Sequence, residues 1–183
     1  MEITLQSVVP IPLKEKFSAR KSGIWNTTVS IKPSSWVKIV APSGTGKTTL
    51  MNIIYKLRHD YEGEVKFGQQ DLKIINDDEL AQLRQQKVSV IFQDLRLFGN
   101  LTARENIELN RVLQKPYYEA SVIEEMSSIL GITHILNQKA SICSYGEQQR
   151  IAIIRALMQP FEWLIMDEPF SHLDIANTTI SDE

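Results

Sequence analysis

Cysteine is nearly absent from this chain, Cys143 being the only one in 183 residues. A single thiol excludes any disulfide within the chain and fits a reducing compartment, and Cys143 is expected to act as a small buried hydrophobe. Long apolar runs are lacking too: the strongest, residues 163–166, stops at Asp167, well short of the about 18 consecutive apolar residues a spanning helix requires. There is no surplus of positive charge. Twenty Lys+Arg face 22 Asp+Glu, a formal charge of -2, so the basic field that holds proteins on nucleic acid is missing and no nucleic-acid partner is expected. Residues 1–12 carry no basic cluster ahead of an apolar stretch and do not read as a signal peptide. With only 8 Gly and 7 Pro, and with neither repeats nor low-complexity tracts, collagenous and disordered classes also fall away.

What is present is a globular composition, 43% hydrophobic and 23% charged, at a length that predicts one domain over residues 1–183. Segments 3–9 and 24–31 are β-rich and partly alternating, which predicts an antiparallel sheet at the front. Residues 36–41 predict a short apolar strand, and 48–57 a helix, with Leu50, Ile53, Ile54 and Leu57 at helical intervals. Strands are predicted at 64–67 and 87–92, with a helix over 78–86 between them. Residues 96–160 read as mostly helical. Thr102 with Glu105, and Ser121 with Glu124, fit the capping box, in which hydroxyl and carboxylate reciprocally satisfy N–H groups at a helix start. Val122, Ile123, Met126, Ile129 and Leu130 predict one apolar face, ended by Gly131. Residues 163–166 return to a buried strand.

Between the strand 36–41 and the helix that follows lies Ala41-Pro42-Ser43-Gly44-Thr45-Gly46-Lys47-Thr48-Thr49, the setting that a phosphate-cradling loop requires. Its glycines let backbone N–H groups turn inward around phosphate oxygens, and the helix N-terminus adds positive potential. Lys47 can reach the β- and γ-phosphates, and Thr48 can ligate Mg²⁺. Gly, any residue, Gly, Lys, Thr is expected by chance on the order of 10⁻⁵ per position from typical residue usage. Ala41 stands where the strict pattern has Gly. A left-handed alanine would cost roughly 1–2 kcal/mol, so position 41 is expected not to need positive φ.

Asp167 and Glu168 follow directly on the strand 163–166, at the carboxyl end where ligands of open α/β sheets sit. Asp167 would help hold Mg²⁺, and Glu168 would orient or deprotonate the water that attacks a γ-phosphate. The alternative is that both acids merely face a following helix N-terminus.

Together these segments resemble the ATP-binding cassette (ABC) ATPases, and three more match in order and spacing. Residues 91–94 are similar to that family's glutamine loop, Ser144-Tyr145-Gly146-Glu147 to its signature motif, and residues 171–174 to its dimer-contact loop. The resemblance implies an α/β fold: a P-loop NTPase core with an N-terminal antiparallel β subdomain (1–95 and 161–183) and an inserted helical subdomain (96–160). It implies ATP and Mg²⁺ as ligands, with Ser43, Gly44, Thr45, Gly46, Lys47, Thr48 and Thr49 around the phosphates. Phe17, with Trp25 as its rival, would stack on adenine. Thr48, Gln93 and Asp167 would hold the metal, and Lys47, Gln93 and Glu168 would act in catalysis. Ser144, Gly146 and Glu147 would cover the nucleotide of a second subunit, most simply an identical one, and Asp174 would contact that subunit. The serine and glutamate also form a capping box at the start of the helix 148–158, and both roles can hold at once.

Two departures stand out. Tyr145 replaces the first glycine of the usual Leu-Ser-Gly-Gly. The chain ends at Glu183, before the helix and strand that usually lead to a histidine at the γ-phosphate, so the C-terminal part of the usual cassette is expected to be missing. His59, His134 and His172 read as surface or structural residues, and turnover by the chain as given is implied less directly than ATP binding.

The leading expectation is an ATP-hydrolysing subunit of a transporter, held at the inner, cytoplasmic face of a membrane through a permease. Leu95, Leu97, Phe98 and Leu101 crowd a loop that such a partner would use. Within the family, residues 78–84, 97–106 and 146–150 look most like the lipoprotein-release, macrolide-export and cell-division cassettes. The competing readings are a nucleotide-gated binding module with little hydrolysis, and a soluble cassette ATPase in translation or DNA repair.

Overall fold

A computed structural model of the chain describes residues 1–18, 22–113 and 115–168. It divides after Lys87 into two compact units. The first contains β1 (Ile3–Pro10), a 3-10 turn (Ile11–Leu13), α1 (Lys14–Ser18), β2 (Thr28–Ile31), α2 (Lys47–Ile54), β3 (Tyr61–Phe67), β4 (Gln70–Asp71) and α3 (Asp77–Gln86). The second contains β5 (Val88–Ile91), α4 (Ala103–Val112), α5 (Ser121–Ile129), α6 (Tyr145–Leu157) and β6 (Trp163–Met166).

The front sheet is antiparallel, in the order β2-β1-β3-β4. Ile3 lies opposite Phe67, and Leu5 opposite Val65. All four are buried, because the period-2 pattern of each strand sends its apolar residues to one face. The pattern breaks at a bulge between Gln6 and Val9, where Ser7 takes a left-handed φ of 49°. Helix α2 lies against β3 and buries Leu50, Met51, Ile53 and Ile54. Lys56 turns left-handed just after it (φ 53°), so Leu57 falls outside the helix and is exposed, contrary to the periodicity. Helix α3 starts at a capping box of Asn76 and Glu79 that the sequence reading missed.

Two strand expectations of this unit need correction. Although Thr27 and Asn26 still bond to the backbone of Ser7 and Val8, the regular strand within 24–31 is confined to Thr28–Ile31. Before it, the Ser22 hydroxyl accepts the N–H groups of Ile24 and Trp25, and Asn26 is left-handed (φ 56°). This turn sends the Trp25 ring inward onto Phe17, centroids 5.3 Å apart. Residues 36–41 join no ladder, and Trp36 is 95% exposed. An apolar extended segment becomes a strand only when a neighbour completes its hydrogen bonds, and none of the described residues does so.

In the second unit β5 and β6 run parallel from Val88 opposite Trp163 to Ile91 opposite Met166, and the Asp167 N–H extends the ladder to the Ile91 carbonyl at 3.0 Å. Trp163, Leu164 and Ile165 are half-buried and Met166 is exposed, so β6 is less buried than its composition implied. Helices α4 and α5 pack on α6 around Ile107, Ile123, Ile151, Ile154 and Met158, each full side-chain burial contributing about 1.5–3 kcal/mol. Cys143 joins this core, and burial pushes its thiol pKa up. The box at Thr102 and Glu105 forms as expected. That at Ser121 does not: Ser121 is already helical, Ala120 is the cap, and the Glu124 carboxylate is drawn 2.5 Å from Arg104 Nη2. Gly131 is left-handed (φ 69°) just after α5. Ile129, assigned to the apolar face, is exposed.

Candidate functional site

The candidate residues divide between the two units. In the first, the loop 41–46 leads into α2, whose N-cap Gly46 is left-handed (φ 93°). Gly44 is left-handed as well (φ 72°), whereas Ala41 is not among the positive-φ residues, as the residue at that position led one to expect. Donors from several directions hold the loop's carbonyls. Lys47 Nζ reaches back to the Ala41 carbonyl at 2.9 Å, and the Thr45 hydroxyl donates to the Pro42 carbonyl at 2.7 Å. Lys16 Nζ, from α1, donates to the Gly44 carbonyl at 2.7 Å. The Trp25 indole N–H donates to the Thr45 carbonyl at 3.1 Å.

With these carbonyls engaged by side chains, and with the amides of the first turn of α2 lacking intrahelical acceptors, the loop presents N–H groups and ammonium charge. This is the chemistry of an anion cradle. Ser43 and Thr48 are exposed there, and Thr49 is half-buried. Phe17 and Trp25 are both buried and stacked on each other, so one face of Phe17 is already taken by Trp25 and the ring would have to be uncovered before it could stack on adenine. Lys16 and the bracing role of Trp25 were not found from sequence. They meet the loop across separations of 28 and 20 residues, and no local pattern marks such pairs.

In the second unit the ladder places Asp167 one residue beyond β6. Its side chain is buried, and Oδ2 has no hydrogen-bond partner among the described residues. A buried carboxylate oxygen left unpartnered is costly, and the arrangement fits a divalent cation or its water as the missing partner. Glu168 is exposed and left-handed (φ 48°), a conformation costing roughly 1–2 kcal/mol in a non-glycine residue.

Gln93 is exposed at the start of the loop after β5. Its carbonyl accepts the Tyr145 hydroxyl at 3.1 Å. Farther along, Arg155 donates to the carbonyls of Leu95 at 2.6 Å and Arg96 at 2.7 Å, and burial lowers the pKa of this guanidinium. Leu95 is buried, Leu97 packs on the helical core, and Phe98 is exposed, so the apolar crowding of this loop is mostly internal.

Ser144 caps α6. Its hydroxyl donates to Glu147 Oε2 at 2.8 Å, and the same oxygen accepts the Ser144 N–H at 2.8 Å. These two bonds, the backbone one first, hold the Glu147 carboxyl below the usual carboxylate range. His134 Nε2 lies 3.5 Å from the other Glu147 oxygen. Gly146 is half-buried beside them. His172 and Asp174 lie outside the described residues.

A family model described as "ABC transporter" matches residues 24–171. The macrolide export ATP-binding/permease protein MacB of Campylobacter jejuni subsp. jejuni serotype O:23/36 (strain 81-176) is 36% identical over 151 residues, 81% of this chain and 24% of that relative. The cell division ATP-binding protein FtsE of Bacillus subtilis (strain 168) is 31% identical over 169 residues, 90% of this chain and 74% of the relative. The chain thus spans about a quarter of the length of the macrolide-export relatives it matches. The dimeric structure of MJ0796, a bacterial ABC transporter cassette, superposes with a TM-score of 0.78 at 30% identity, over 97% of this chain and 78% of that one. The same values hold for a post-hydrolysis state of that cassette bound to ADP and Pi.

Proposed function

Because this chain belongs to the ABC transporter family, we propose that it binds ATP with Mg²⁺ between two copies of itself, hydrolyses the γ-phosphate and drives a permease at the inner face of a membrane. The observation that carries the reading is the loop 41–46, with two left-handed glycines and carbonyls held away by side chains at the N-terminus of α2.

Lys47 and the loop amides would bind the phosphate oxygens and spread their charge. The hydroxyl of Thr48, the side chain of Gln93 and the Asp167 oxygen that has no partner among the described residues would serve as donors to the metal, which would neutralise phosphate charge when bound. Glu168 would take the proton of the attacking water, and Gln93 would orient that water. Ser144, Gly146 and Glu147 would present a helix start to the γ-phosphate of the other subunit. Because the Ser144 hydroxyl donates to Glu147, it must turn away from that carboxylate to give its proton to a phosphate. Asp174 would contact the second subunit, and residues 96–160 would receive the permease.

The test is phosphate release by the parent and by Glu168→Gln, with ATP binding followed by calorimetry. A general base contributes about 10²- to 10⁴-fold, so the variant should keep ATP affinity and lose at least about a hundredfold in rate. Equal rates would remove Glu168 from this role. A parent that binds ATP without releasing phosphate would favour the nucleotide-gated module.

A further inference from the structure

Tyr145 occupies a position where related signature motifs carry glycine, and glycine has no side chain with which to do what this residue does. It is the first residue of α6, directly after the N-cap Ser144. Its hydroxyl crosses 52 residues of sequence to donate to the carbonyl of Gln93. The same helix, at Arg155, holds the carbonyls of Leu95 and Arg96. Those two residues are consecutively left-handed, with φ of 57° and 48°. The Arg96 guanidinium covers the Phe92 ring at 3.6 Å from its centroid. Three carbonyls of the segment 93–96 are therefore held by side chains of one helix, and the one nearest the working side chain is held by Tyr145.

We propose that Tyr145 is a positioning residue for Gln93. Its hydroxyl fixes the peptide that follows Gln93, and so sets where the Gln93 side chain points. Its neighbours Ser144 and Gly146 belong to the turn assigned to the nucleotide of the other subunit. One phenol thereby ties the residue serving this chain's own nucleotide to the turn serving the partner's. The inference rests on the role proposed above for Gln93.

Tyr145→Phe removes the hydroxyl and keeps the ring. In the nucleotide-free full chain, amide hydrogen exchange over residues 93–97 should quicken about fivefold, the worth of one neutral hydrogen bond, with the core of α6 unchanged. Phosphate release should fall about three- to tenfold in kcat, with KM for ATP changed less than twofold. In a Gln93→Ala background the Phe substitution should add nothing further, since the hydroxyl acts through that side chain. Unchanged exchange at 93–97, or effects of the two substitutions that multiply, would overturn the proposal. The exchange and kinetic arms separate it from the ATPase reading. Faster exchange in the variant of a parent that releases no phosphate keeps the tether and removes the hydrolytic role. Unchanged exchange in the variant of an active parent removes the tether and leaves the ATPase intact.

Discussion

Replacing Gly46 by alanine should damage the phosphate loop by two separable routes. Gly46 is left-handed at φ 93°, and a methyl group added there would lie 3.0 Å from Cζ2 of Trp25 and 3.5 Å from Cε2 and Nε1. The ring is not free to yield, since its N–H is bonded to the Thr45 carbonyl and its face is stacked on Phe17. The backbone conformation costs roughly 1–2 kcal/mol for a non-glycine residue, and overpacking of this kind adds about 1–3 kcal/mol. Their sum, about 2–5 kcal/mol, is large against a whole-domain stability of about 5–15 kcal/mol. It corresponds to a melting temperature lower by roughly 5–15 °C.

Gly131→Ala is the control. Gly131 is also left-handed (φ 69°), but an added methyl meets nothing within 4 Å, so only the conformational cost of about 1–2 kcal/mol applies. Urea and thermal unfolding followed by circular dichroism, with calorimetric titration of ATP, read both variants. Gly46→Ala should also lose about tenfold or more in ATP affinity, on the order of 1.4 kcal/mol, whereas Gly131→Ala should bind as the parent does. In a cycle with Trp25→Phe the alanine should cost about 1–2 kcal/mol less beside the smaller ring. Equal losses for the two glycine variants, together with an additive cycle, would refute the contact between Trp25 and the loop.

Asp167→Asn neutralises a buried carboxylate with an unpartnered oxygen, so the nucleotide-free chain should melt no lower than the parent. Its Mg²⁺-dependent gain in ATP affinity, measured with and without EDTA, should fall at least about tenfold; a lower melting point with an intact Mg²⁺ response would contradict this role. Ser144→Ala should cost about 1 kcal/mol through the lost cap. Because the folded-state pKa of Glu147 is depressed, its contribution is present above the ordinary glutamate range and is lost as pH falls through the depressed value. The variant's stability should therefore decline less steeply on acidification, and an acid limb identical to the parent's would disprove the coupling.

Features made by contiguous residues were legible in the sequence. The boxes at Thr102 and Ser144 form because cap and carboxylate are three residues apart on one helix start. The turn 41–46 could be recognised because its own glycines and its own helix shape it. Features that depend on a distant competitor were not. The Ser121 box does not form because the helix already includes Ser121, with Ala120 as its cap, and the Glu124 carboxylate pairs with Arg104 instead; the predicted strand at 36–41 fails because no second strand among the described residues completes a ladder with it. Ile129 matched the apolar face of α5 by periodicity, yet it is exposed, since no neighbour among the described residues covers it. The same limit hid Lys16 and Tyr145. Each reaches a backbone carbonyl far away in sequence, and neither residue type signals that bond.

Trp25 gives the chain a built-in optical label. Its indole rests on the Thr45 carbonyl, whereas Trp36 stands almost wholly in solvent. With Trp36 and Trp163 changed to phenylalanine, one tryptophan would remain, seated on the loop itself and excited selectively over the five tyrosines. Its emission colour and lifetime would record each rearrangement there in real time, with no dye attached.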